Sequence, residues 1–216
     1  MNEDLGKPED FQPPPNFALM AAVFEAGIVV VAVCLGWLLD KDPLVTFPRT
    51  LHHAGWGIVW GIAATLPPLG LLWVCLKCPL RSFVELVGVV DRMLVPLFRH
   101  CRLMELAAIS VLAGLGEEML FRGIVQRSVA DWVGGPLATW IALVAAAVLF
   151  GLAHRITTTY AVLAGLIGLY LGGIWMATGN LLVPIVAHSV YDLVALVYLI
   201  RIRRPSTNSR EPAAEP

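Results

Sequence analysis

The stretch Gly116-Glu117-Glu118-Met119-Leu120-Phe121-Arg122 sets two adjacent carboxylates and a guanidinium inside an apolar run that begins near Leu103. At membrane depth a carboxylate costs about 2.5–3.5 kcal/mol on insertion scales unless it is paired or faces water. Such residues mark a site. On a helix Glu118 and Arg122 stand at i,i+4 and can neutralise each other, whereas Glu117 is turned about 100° away and is left to face a cavity.

The composition around this stretch excludes a soluble domain. Hydrophobic residues make up 58% of the 216 and charged residues 14%, against about 25% charged in ordinary soluble domains, and mean hydropathy is +0.76. The expected fold is an all-α polytopic membrane helix bundle of about six transmembrane helices plus one interfacial amphipathic helix. A net charge of −1 provides no footprint for nucleic acid, and none is expected as a partner.

Residues 1–16, with Pro13-Pro14-Pro15 and several acids, read as a disordered tail that follows no cleavable leader pattern. Spans are expected over 17–39, 55–76, 103–130, 137–154, 160–178 and 181–200, with 201–216 a basic disordered tail. Pro67-Pro68 should kink or break the second span. Over 80–99, Phe83, Val84, Val87, Val90 and Leu94 recur at helical spacing with Arg81, Glu85, Arg92 and Arg99 mostly elsewhere, which fits a helix lying in the interface, as a substrate groove or, more plainly, as a connector. Two units follow: 17–102, holding the first two spans and this connector, and a four-helix core over 103–200.

Several features read more plainly as scaffold. Glu25, about two turns inside the first span, is either a snorkelling end residue, the plainer reading, or a pore-facing one. His52 and His53 are taken as solvated side chains at the mouth of the second. Cys75 and Cys78 have no second pair to complete four zinc ligands, so the cysteines are expected to be inert. Both termini are expected inside. Lys7, Lys77, Arg81, Arg92, Arg99, Arg102, Arg155, Arg201, Arg203, Arg204 and Arg210, out of 15 cationic residues, then fall on the inner side. The seven tryptophans cluster near span ends, as interfacial belts do.

Two later stretches offer partners for Glu117: Phe150-Gly151-Leu152-Ala153-His154 and His188-Ser189-Val190-Tyr191-Asp192. Measured from the Gly134-Gly135 turn, Glu117 is about 17 residues back and His154 about 19 forward, so at about 1.5 Å per residue they come out level. His188 reaches that depth only if the preceding connection dips into the protein, which Gly179, Asn180 and Pro184 permit. These groups can activate water in two ways. Glu117 can act as general base with His154 assisting, while His188 and Asp192 stabilise the developing oxyanion. Alternatively Glu117, His154, His188 and Asp192 can hold a divalent metal such as zinc that acidifies the water. A proton- or ion-coupled carrier using the same Glu/His relay, or a non-catalytic membrane partner, remain the rival classes.

The pattern Glu117-Glu118-x-x-x-Arg122, Phe150-x-x-x-His154 and His188-x-x-x-Asp192, in that order inside apolar spans, resembles the CPBP intramembrane proteases. These include the type II CAAX prenyl endopeptidases and bacterial relatives linked to bacteriocin self-immunity and surface-protein processing. The likeness covers about residues 103–200. It implies an intramembrane endopeptidase that cuts near the membrane-anchored end of a protein or peptide substrate, in a membrane that is expected to be a bacterial cell membrane. By resemblance Glu117 and His154 would activate the water, His188 and position 192 would complete the site, and Glu118, Arg122 and Phe150 would support it. The prenyl-protein enzymes carry Asn where this chain has Asp192, so Asp192 would orient His188 or ligate a metal. Although the family names say metalloprotease, the resemblance also supports a glutamate mechanism with no required cofactor, and this is the expected one.

Overall fold

The computed structural model describes residues 13–203, so most of both expected tails, 1–16 and 201–216, lies outside the described residues. The protein is an all-helical membrane bundle. Its elements are α1 (Phe17–Leu38), α2 (Leu51–Ala63), α3 (Leu66–Lys77), α4 (Arg81–Phe98), α5 (Leu103–Glu118), a π-helical stretch (Met119–Gln126), α6 (Arg127–Val133), α7 (Ala138–Ala153), α8 (Thr158–Thr178), α9 (Leu182–Val197) and a closing π-helical turn (Tyr198–Ile202). Four helical runs are long and apolar enough to cross a bilayer: Phe17–Leu38, Leu51–Lys77, Thr158–Thr178 and Leu182–Ile202. The other two expected spans are helical but differ in kind. Ala138–Ala153 is shorter, and the run through α5 and α6 carries its charges inside.

Apolar side chains face outward on most helices, with Phe24, Trp37 and Trp132 among the many large ones exposed. In water such a surface would aggregate, whereas in lipid it is the solvated face. Inside, small residues bring backbones together, since lipid supplies no hydrophobic drive between helices. A Cβ at Gly151 of α7 would stand 2.5 Å from the Ala161 carbonyl of α8, and Gly165 faces the same spot. The glycine-rich α8 therefore packs close on α7.

The second span is two helices. α2 starts at Leu51 because Thr50 caps it, its hydroxyl accepting from the His53 N–H at 3.3 Å. His52 and His53 thus lie in a first helical turn rather than in a loop. The break falls at Ala64-Thr65, before the prolines, which occupy the first turn of α3 where an N–H has no helical partner in any case. α4 does more than connect, because Leu86, Val87, Val90 and Leu94 turn inward and wall a central cavity, as a groove would. Residues 201 and 202, read from sequence as tail, close the last helical run.

Contacts at the two ends of the bundle define its passes. At one end the loop after α1 lies over the others: Lys41 pairs with Asp131 of α6, and Arg127 donates to the Asp42 carbonyl at 2.7 Å. Trp175 of α8 donates to Thr46 there at 2.9 Å. At the other end Phe17 meets Phe98 edge-on with centroids 5.0 Å apart, Arg203 pairs with Asp91, and Arg201 donates to the Cys101 carbonyl at 2.9 Å. Both ends of the described chain therefore sit at the same end of the bundle.

Candidate active site

Glu117 and Glu118 close α5, and the geometry separates their surroundings. Glu118 is fully buried, with Oε2 3.0 Å from Arg122 Nε, and Arg122 is 1% exposed. The contact lies off hydrogen-bonding angles and is an ion pair. Arg122 then donates through Nη2 to the Gly168 carbonyl at 2.7 Å and stands 5.3 Å over the Phe150 ring. A buried charge is tolerable when it is paired and hydrogen-bonded, as here. The other Glu118 oxygen lies 3.0 Å from His188 Nδ1. Being a carboxylate, it accepts, so Nδ1 carries a proton and Nε2 points to the cavity.

Glu117 faces that cavity. Its Oε2 is 3.5 Å from His154 Nε2 and 3.9 Å from His188 Nε2, and Asp192 Oδ2 is 3.5 Å from His188 Nε2. His154 caps the end of α7, with Nδ1 2.9 Å from the Phe150 carbonyl. Because that carbonyl can only accept, His154 Nδ1 also carries a proton and turns Nε2 to Glu117. Phe150 holds both imidazoles: its ring stacks on His154 at 4.4 Å and meets His188 at 5.9 Å. Phe121 braces it edge-on at 4.9 Å.

His188 comes to this depth because the α8–α9 connection is drawn into the bundle. The Leu181 N–H donates to Thr46 O at 3.1 Å, and the Asn180 amide donates to His53 O at 3.0 Å. Leu181 is wholly buried. Along α9, Gly114 of α5 admits the backbone at Ile185 and Ser189, flanking His188.

These groups floor a cavity of about 310 Å³. Its walls are apolar, built from α3, α4, α8 and α9, with Phe98, Leu94, Leu163 and Leu196 among them. Four further polar residues line it that the sequence reading did not settle there: Glu25, Ser110, Tyr160 and Tyr191. For Glu25 this is a correction. The plainer snorkelling reading gives way to the pore-facing one: Glu25 lines the cavity, because α1 packs on α5 beside Glu117. Its being the only charged residue in α1 was the available signal. Cys75, at 7% exposure, also lines the cavity, with its thiol free.

Glu117, His154, His188 and Asp192 are the donor set that a metal would need. Among the described residues, however, no group of three His, Cys, Asp or Glu side chains is arranged to hold a metal ion. His188 has one nitrogen committed to Glu118 and the other facing two carboxylates.

No curated protein and no solved structure matches the chain. Residues 100–194 match the family described as type II CAAX prenyl endopeptidase Rce1-like, a stretch that runs from the start of α5 into α9 and carries all three motifs. The helical core is thus similar to a family of endopeptidases.

Proposed function

We propose that the protein hydrolyses a peptide bond near the membrane-anchored end of a protein or peptide, with Glu117 and His154 activating water and His188 and Asp192 stabilising the intermediate. The observation that carries this reading is the single cavity in which Glu117 Oε2 lies 3.5 Å from His154 Nε2 and 3.9 Å from His188 Nε2. Both gaps exceed a good direct hydrogen bond, so Glu117 has both imidazoles close by without being tied to either. Glu117 takes a proton from the water as its oxygen attacks the carbonyl carbon. His188 Nε2–H donates to the oxyanion that develops, and Asp192 holds the ring's charge in place. The proton then passes by way of Glu117 and His154 to the leaving nitrogen, the C–N bond breaks, and an amine and a carboxylate depart.

The apolar walls suit a lipid-attached or membrane-embedded segment, so membrane lipid and a membrane-anchored substrate are the partners of this reading. The bundle is oriented with both chain ends inside, following its basic residues.

A membrane-anchored quenched peptide library tests the proposal. Glu117→Gln and His154→Ala are each expected to lower kcat/KM by about 10²–10⁴-fold with membrane insertion intact. Cleavage should persist in a chelator. Substantial activity in either variant would remove the assignment, and loss on chelation would make the site a metal centre.

A further inference from the structure

Glu25 is the one charged residue of α1 and lies outside the matched stretch 100–194. Its carboxyl lines the same cavity as Glu117 and Asp192, and Oε2 is closed to solvent with no hydrogen-bond partner among the described residues. The backbone holds it there. A Cβ at Gly116, next to Glu117, would stand 3.2 Å from the Glu25 carbonyl and 3.1 Å from Val29 N, so α1 presses directly on the floor of the site.

A second observation is independent of the acids. Ser110, two turns before Glu117 on the same side of α5, is 2% exposed, lines the cavity, and has no hydrogen-bond partner for its hydroxyl. Buried polar groups are nearly always satisfied. Glu25 and Ser110 thus leave hydrogen-bonding capacity unused beside one space, on two facing helices.

The sign of the charge follows from the lining. Glu25, Glu117 and Asp192 border the cavity together with His154 and His188, and among the described residues no Lys or Arg does, so three acids face at most two cationic imidazoles. Arg122 is spent on Glu118 and the Gly168 carbonyl. Carboxylates gathered in a low-dielectric cleft repel each other and an anionic ligand, and attract a cation.

We propose that Glu25 is a specificity-determining residue that selects a substrate segment bearing a lysine or arginine side chain close to the scissile bond, with Ser110 hydrogen-bonding to the substrate backbone. The inference rests on the peptidase reading of this cavity. It is tested by binding, so that the two can fail separately.

The probes are N-acylated, C-amidated hexapeptides carrying lysine, norleucine or glutamate at one position in turn, titrated against the full chain in zwitterionic nanodiscs. Norleucine keeps the lysine carbon chain without the ammonium. At one position lysine is expected to bind at least about tenfold tighter than norleucine, and glutamate more weakly than either. Glu25→Gln should reduce the lysine advantage to within about twofold, and Glu25→Lys should reverse the order in favour of glutamate. Ser110→Ala should weaken all three alike. The inference is overturned if no position favours lysine, or if the preference survives both Glu25 variants. A lysine preference without cleavage would support the inference and overturn the peptidase reading alone.

Discussion

Glu118 does two jobs at the residue scale, and they make its replacement costlier than that of its partner. It pairs with Arg122 at 3.0 Å and accepts from His188 Nδ1 at 3.0 Å. Glu118→Gln leaves a buried guanidinium without a counter-charge, a loss of about 3–5 kcal/mol. Arg122→Met should lose less, because the carboxylate keeps the imidazole. Denaturant unfolding in detergent checks this, and equal losses would mean that His188 does not share Glu118. Asp192 stands differently: at 3.5 Å from His188 Nε2, with its side chain 30% exposed, it acts across a gap. Asp192→Asn, which adds an amide donor, is expected to stay within about tenfold of wild-type kcat/KM, while Asp192→Ala falls by about a hundredfold. Identical rates for the two variants would deny Asp192 any polar role. The Glu118–Arg122 pairing was legible from spacing alone. The Glu118–His188 bond was not, because it joins residues 70 positions apart.

At the scale of elements, the site depends on how closely α5 and α9 approach. A Cβ on Gly114 would collide with the Ser189 hydroxyl and lie 2.9 Å from the Ile185 carbonyl, pushing away the turn that carries His188. Gly114→Ala should therefore cost about 1–3 kcal/mol of stability and, through misplacement of the imidazole, cut activity by about a hundredfold. Gly173→Ala is the control. Nothing lies within 4 Å of a Cβ there, so helix propensity should make it neutral or stabilising by up to about 1 kcal/mol. Paired melting curves and cleavage rates would show a merely general glycine effect if the two behaved alike. The sequence indicated small residues on α8, but it could not show that Gly114 and Gly116 of α5 are the ones that admit α9 and α1 to the site. Whether α4 was groove or connector was likewise undecided: periodicity reveals that a helix has an apolar face, and what that face covers depends on its neighbours.

For the whole molecule, the two ends of the described chain lie at one end of the bundle, so fusion reporters at the C-terminus and after Gly135 should fall on opposite sides of the membrane. The reporter at the C-terminus is expected inside, where the basic residues gather. Both reporters on one side would rule out the six-pass reading. The sequence by itself determined the membrane class, the helical fold, the approximate ends of most helices and the three motifs, because the energy of burying apolar and charged groups in lipid is set residue by residue. Only the tertiary structure decided that Glu25 and Ser110 enter the cavity, that the α8–α9 connection is drawn inward to bring His188 level with Glu117, and that Glu118 rather than Asp192 holds His188 Nδ1. Those outcomes depend on which helices touch and at what rotation, and that is fixed by packing between segments distant in the chain.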